Sequence, residues 1–118
     1  MSGARILVVD DEPQILRFLR PALEASGFEV QHAGTGREAL RMAANSAPDL
    51  IILDLSMPGM NGLDAASELK KIMPEIPIIL FTVHAETFRD KIAKLPIDVV
   101  ASKSEFDLMS HVRRLVPV

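Results

Sequence analysis

The 118-residue chain contains no cysteine. That excludes disulfides, thiolate zinc sites and a cysteine nucleophile. No apolar run approaches the roughly 20 residues that a membrane-spanning helix needs. The start, MSGAR, is followed by ILVV and then by DDE, so no secretory h-region is present. No basic run is longer than Arg113-Arg114, and the net charge is −3. That balance argues against direct nucleic-acid binding by this chain. Repeats, linkers and low-complexity segments are missing too. What is present is an ordinary globular composition, 48% hydrophobic and 25% charged. The length suits one domain able to bury a core without staples. A cytoplasmic protein is the expectation.

Five short apolar, β-branched runs stand out: 5–10 (RILVVD), 28–33 (FEVQHA), 50–55 (LIILDL), 76–82 (IPIILFT) and 97–102 (IDVVAS). Runs one, three and four are nearly continuous in apolar residues. A strand reads that way when both of its faces are covered. Run two carries Glu29, Gln31 and His32, as an edge strand does.

Helical spacing fills the gaps. Residues 13–26 carry Ile15, Leu16, Phe18, Leu19, Ala22 and Leu23 at helical spacing, with Pro13 as a first helical position and Gly27 as the stop. Pro21 predicts a kink there. Thr35-Gly36-Arg37-Glu38 spells a capping box before a helix whose core face is Ala39, Leu40, Ala43 and Ala44. A third helix spans about 63–73 and stops before Pro74, and a fourth covers about 86–94. A fifth opens at Ser104-Glu105-Phe106-Asp107 and packs Phe106, Met109, Val112 and Leu115 or Val116. Strand and helix alternate five times, so the fold class is α/β, a doubly wound parallel sheet with helices on both faces.

In open parallel sheets, sites form outside the carboxyl ends of the strands. Asp10, Asp11 and Glu12 follow strand one, and Asp54 follows the core of strand three. Thr82 ends strand four, and Ser102-Lys103 ends strand five. Singly, each has an ordinary explanation. An aspartate after a strand caps or turns, a threonine suits a strand, and a lysine sits in solvent. Together the three aspartates, Thr82 and Lys103 put three carboxylates, a hydroxyl and an ammonium on one sheet edge. Clustered carboxylates repel and call for a cation. Oxygen ligands without cysteine or clustered histidine select a hard ion, foremost Mg²⁺. A carboxylate can also attack a phosphoryl group to give an aspartyl-phosphate, with a cation and a hydrogen-bond donor opposite. Asp54, Lys103 and Thr82 supply those three parts. The loop 56–62 (SMPGMNG) is dense in turn residues and leads into helix three.

VVDDEP, LIILDLSMPGMNGLDAASEL, ILFTVHA and VVASKS together resemble the receiver domain of two-component response regulators. The resemblance covers essentially the whole chain and implies one receiver domain over 1–118. It implies a (βα)5 flavodoxin-like fold with strand order 2-1-3-4-5. It implies Asp54 as the phosphoacceptor, with Mg²⁺ held directly by Asp11, Asp54 and the backbone carbonyl of Ser56, and by Asp10 through water. Lys103 matches the lysine that pairs with the phosphoryl group, and Thr82 the switch hydroxyl. The implied donor is a sensor histidine kinase or a histidine phosphotransfer protein. The implied reader is a downstream output domain or protein, or a phosphorylation-dependent homodimer. Such a chain is a signalling switch rather than an enzyme; it assists only its own phosphorylation and dephosphorylation.

The match has departures. Val100 stands where the switch aromatic is usual, Ser104 where proline follows the lysine, and Val83 where Ala or Gly follows the threonine. Leu95-Pro96-Ile97 stands where many receivers have a Gly-Ala turn. The missing proline, with SMPGMNGL and TVH, is similar to regulators of the NarL/LuxR type. The departures fall on the relay to the output face, not on the acidic set. They leave a phosphorylation-independent scaffold as the rival function. A Mg²⁺-dependent phosphatase with an aspartyl nucleophile is disfavoured, because Ser56 stands where its second aspartate would be. A nucleotide-binding module is disfavoured because acids, not a glycine-rich loop, follow strand one. His32, His84 and His111 are not at ligand spacing. Met57, Met60 and Met73 read as gap-fillers.

Overall fold

The structure is a computed structural model and describes residues 3–54, 62–82, 90, 99–102 and 108–116. In chain order the elements are β1 (Arg5–Val9), α1 (Pro13–Ala25), β2 (Glu29–Ala33), α2 (Gly36–Asn45) and β3 (Leu50–Leu53). Then come α3 (Gly62–Ile72), β4 (Ile78–Thr82), β5 (Val99–Ser102) and a C-terminal helix (Leu108–Leu115). Of the expected fourth helix, 86–94, only Asp90 lies within the described residues, and it is helical.

The five strands form one parallel sheet in the order β2-β1-β3-β4-β5. Strand alternation explains the continuous apolar runs, because each strand feeds two layers. Leu7, Val9, Ile51, Leu53, Ile78 and Leu80 pack with Ala39 and Ala43 of α2 and Ala65, Ala66 and Leu69 of α3. The intervening Ile6, Val8, Leu50, Ile52, Ile79 and Phe81 pack on the other face with Leu19 and Leu23 of α1 and Leu108 and Val112 of the C-terminal helix. Met73 borders the first of these layers, as a gap-filler should. β2 lies at an edge, as its polar residues predict.

The helix ends follow from local chemistry. α1 runs as one element through Pro21. It stops at Gly27, whose φ of 94° suits glycine. The Gly27 N–H donates to Glu24 O at 3.0 Å and the Phe28 N–H to Leu23 O at 3.1 Å, the paired bonds of a Schellman ending. At α2, Thr35 Oγ1 accepts from the Glu38 N–H at 3.1 Å, as expected of a capping box. The return bond differs, since Glu38 Oε1 accepts from the Gly34 N–H at 2.8 Å, one residue before the cap. Ala44 is exposed, which corrects its expected place in the core; Met42 and Leu40 flank Ala39 and Ala43 instead.

Candidate functional site

Strand order places the site. The chain leaves β1 toward β2 on one side and later returns to β3 on the other, so β1 and β3 flank a topological switch point. The last registered pair across them is Val9 with Leu53. Asp10 and Asp54 are the next residue on each strand. Each still belongs to the sheet by its main chain. The Asp10 N–H donates to Ala33 O at 3.1 Å, and the Asp54 N–H donates to Val9 O at 2.8 Å. The two backbones are therefore held by the rigid part of the fold.

Both side chains are buried, Asp10 at 2% exposure and Asp54 at 5%. Asp11 and Glu12 are exposed. One oxygen from each of Asp10, Asp11, Glu12 and Asp54 can be chosen so that all lie within 4.8 Å of one another. Four carboxylates at that separation repel strongly, more so where two are buried in low dielectric. A divalent cation removes that repulsion, and the all-oxygen set fits a hard ion.

Asp10 does two jobs. Its Oδ1 accepts from the Glu12 N–H at 2.9 Å and so shapes the turn out of β1. That is the ordinary role of an aspartate after a strand, and here it coexists with membership of the cluster. Glu12 occupies the N-cap position of α1 without a side-chain capping bond, and Pro13 follows at the first helical position. The positive end of the α1 dipole thus opens directly onto the acids and eases their repulsion in part.

Of the residues expected at this site, Asp10, Asp11 and Asp54 come together. Thr82 is the last residue of β4, on the same sheet edge, in register with Ser102 of β5. Ser56 and Lys103 lie outside the described residues, as do Val83, His84, Ser104 and the turn at 95–97. Val100 is described as a strand residue paired with Leu80.

Two neighbours had no assigned role in the expected site. Glu12, which follows the aspartate pair on the same sheet edge, joins the cluster. His32, in β2, places Nε2 2.8 Å from the main-chain oxygen of Asp10. No sequence signal marks that contact, because its acceptor is a peptide carbonyl that any residue would supply. His111 lies away from the cluster, with Nδ1 accepting from Arg114 Nη2 at 2.9 Å.

Comparison with known proteins agrees with this geometry. The family described as the response regulator receiver domain matches residues 6–109. The transcriptional regulatory protein KdpE of Mycobacterium tuberculosis (strain CDC 1551 / Oshkosh) is 43% identical over 90 residues, which is 76% of this chain and 39% of that protein. The alkaline phosphatase synthesis transcriptional regulatory protein PhoP of Bacillus subtilis (strain 168) is 40% identical over 93 residues, 79% of this chain and 38% of that protein. The chain thus spans about two fifths of the length of these two relatives. Among solved structures, the response regulator protein TrrA from Thermotoga maritima, in complex with Mg²⁺-BeF, superimposes with a TM-score of 0.87 at 37% identity. That match covers 98% of this chain and 100% of TrrA. These relatives do not bear on the NarL/LuxR subtype. Among the described residues, no helix is long and apolar enough to cross a membrane.

Proposed function

Since this chain belongs to the response regulator receiver family, we propose that it is a phosphorylation-activated signalling switch with Asp54 as the acceptor. The observation that carries the reading is the cluster of Asp10, Asp11, Glu12 and Asp54, whose ligand oxygens lie within 4.8 Å of one another. A relative in complex with Mg²⁺-BeF supports it.

The Asp54 carboxylate attacks the phosphorus of a phosphohistidine. A new O–P bond forms, the N–P bond breaks, and the electron pair stays on the departing imidazole, which takes up a proton. Asp54 suits this role because its main chain is fixed by Val9 while its carboxylate belongs to the acidic cluster. Mg²⁺ would neutralise charge on the phosphoryl oxygens, and Asp11, Asp54 and the Ser56 carbonyl would hold it directly, with Asp10 acting through water. The turn bond from Glu12 to Asp10 Oδ1 supports that division, because it commits one oxygen of Asp10 to the fold. Lys103 would pair with the phosphoryl charge, and Thr82 would donate to a phosphoryl oxygen once it arrives.

The donor is proposed to be a sensor histidine kinase or a phosphotransfer protein, in the cytoplasm. The reader is proposed to be an output domain or protein, or a second phosphorylated copy. The whole chain is proposed to form a single receiver unit.

Incubation with acetyl phosphate and Mg²⁺, followed by intact mass, tests the reading. The expected result is one phosphoryl adduct on the wild type and none on Asp54→Asn. No adduct on the wild type overturns the switch in favour of a scaffold. An adduct that survives Asp54→Asn overturns the acceptor.

A further inference from the structure

The main chain of Asp10 is held on both sides by the neighbouring edge strand. On the amide side of Asp10, its N–H donates to the Ala33 carbonyl at 3.1 Å. On the carbonyl side, its oxygen lies 2.8 Å from Nε2 of His32. A carbonyl can only accept, so the imidazole carries its proton on Nε2 and donates it. His32 is half-buried and pairs in register with Val8 of β1, so its ring reaches its partner from a fixed strand position.

This carbonyl is a strategic acceptor. The plane of the peptide after Asp10 sets the direction in which the chain enters Asp11 and the turn closed by Glu12. A peptide free to rotate would swing the Asp11 carboxylate away from Asp10 and Asp54. Preorganisation of that kind is what partners of metal ligands supply elsewhere.

We propose that His32 is a positioning residue for the acidic site: by donating from Nε2 to the Asp10 carbonyl it holds the Asp10–Asp11 peptide so that the Asp11 carboxylate stands ready for the cation. The proposal rests on the reading of the cluster as a cation site for phosphoryl acceptance. It acts through the peptide, and His32 itself touches neither cation nor phosphoryl group.

The test is calorimetric titration with Mg²⁺ of the wild type, His32→Val and His32→Gln, with acetyl phosphate uptake measured at low and saturating Mg²⁺. Valine keeps the strand preference and removes the donor, whereas the glutamine amide can replace it. His32→Thr serves where valine on an edge strand causes aggregation. The expected result is a roughly tenfold weaker Mg²⁺ affinity in His32→Val, the size typical for loss of a ligand-orienting partner. Glutamine should restore most of it. Uptake by His32→Val should be slow at low Mg²⁺ and reach the wild-type rate at saturation. Equal affinity in wild type and His32→Val overturns the positioning role and leaves the cation site standing. So does a glutamine variant as weak as valine, which would mark a merely structural loss. A wild type that binds no Mg²⁺ overturns the cation site, and this role with it.

Discussion

The main-chain N–H of Asp54 donates to the carbonyl of Val9 at 2.8 Å, one residue past the last registered pair of β1 and β3. This bond is the means by which two acids 44 positions apart in sequence, Asp10 and Asp54, become neighbours. The sheet ladder carries on just far enough to seat both aspartates, and their charges meet where the strands stop.

Asp11→Ala should lower Mg²⁺ affinity at least about tenfold, or about 1.4 kcal/mol. Asp11 is the exposed aspartate of the cluster, while Asp10 is tied to the Glu12 N–H. Titration calorimetry on the variant checks this. Unchanged affinity would move the metal site elsewhere.

Mg²⁺ should raise the thermal midpoint of the wild type and much less that of Asp54→Asn. A ligand at about 100 times its Kd adds about 2.7 kcal/mol to the folded state. Without the ion the order should reverse, because removing the Asp54 charge relieves repulsion against three neighbouring carboxylates. Differential scanning calorimetry with EDTA and with saturating Mg²⁺ reads both signs.

Ile52→Ala should destabilise by about 2–5 kcal/mol, the range for emptying a filled core position. Ile52 is 1% exposed and packs in the layer between the sheet and α1. Urea unfolding should show a lower midpoint with an unchanged slope.

Gly27→Ala should cost about 1 kcal/mol, because an L side chain is disfavoured at its φ of 94°. The loss should appear in urea unfolding while acetyl phosphate uptake stays normal, since Gly27 lies at the far end of α1 from Asp54.

Much of this was legible in the sequence, for identifiable reasons. The runs around Val8, Ile52 and Ile79 are apolar at every position because each strand feeds two layers, so β1, β3 and β4 announce themselves. The acids were legible because aspartates at strand ends converge once the sheet is parallel. Strand order was not readable from periodicity and came with the resemblance. Ala44 was misplaced because alanine is small enough to sit on either face of a helix. The Glu38 bond to Gly34 and the His32 bond to Asp10 were hidden, since both end on backbone atoms that carry no residue-specific signal. Pro21 sits within α1 without ending it. At that position the lost amide bond is set against the packing of Leu19 and Leu23, both buried.

The edge position of β2 has a kinetic consequence. Edge strands open locally more readily than central ones. Ala33 and His32, on that strand, hold the main chain of Asp10. Each opening of β2 would therefore loosen the acidic turn, and a cation that needs the turn closed must slow those openings. Amide hydrogen exchange at Gln31 and Ala33 should then report occupancy of a site to which neither side chain contributes.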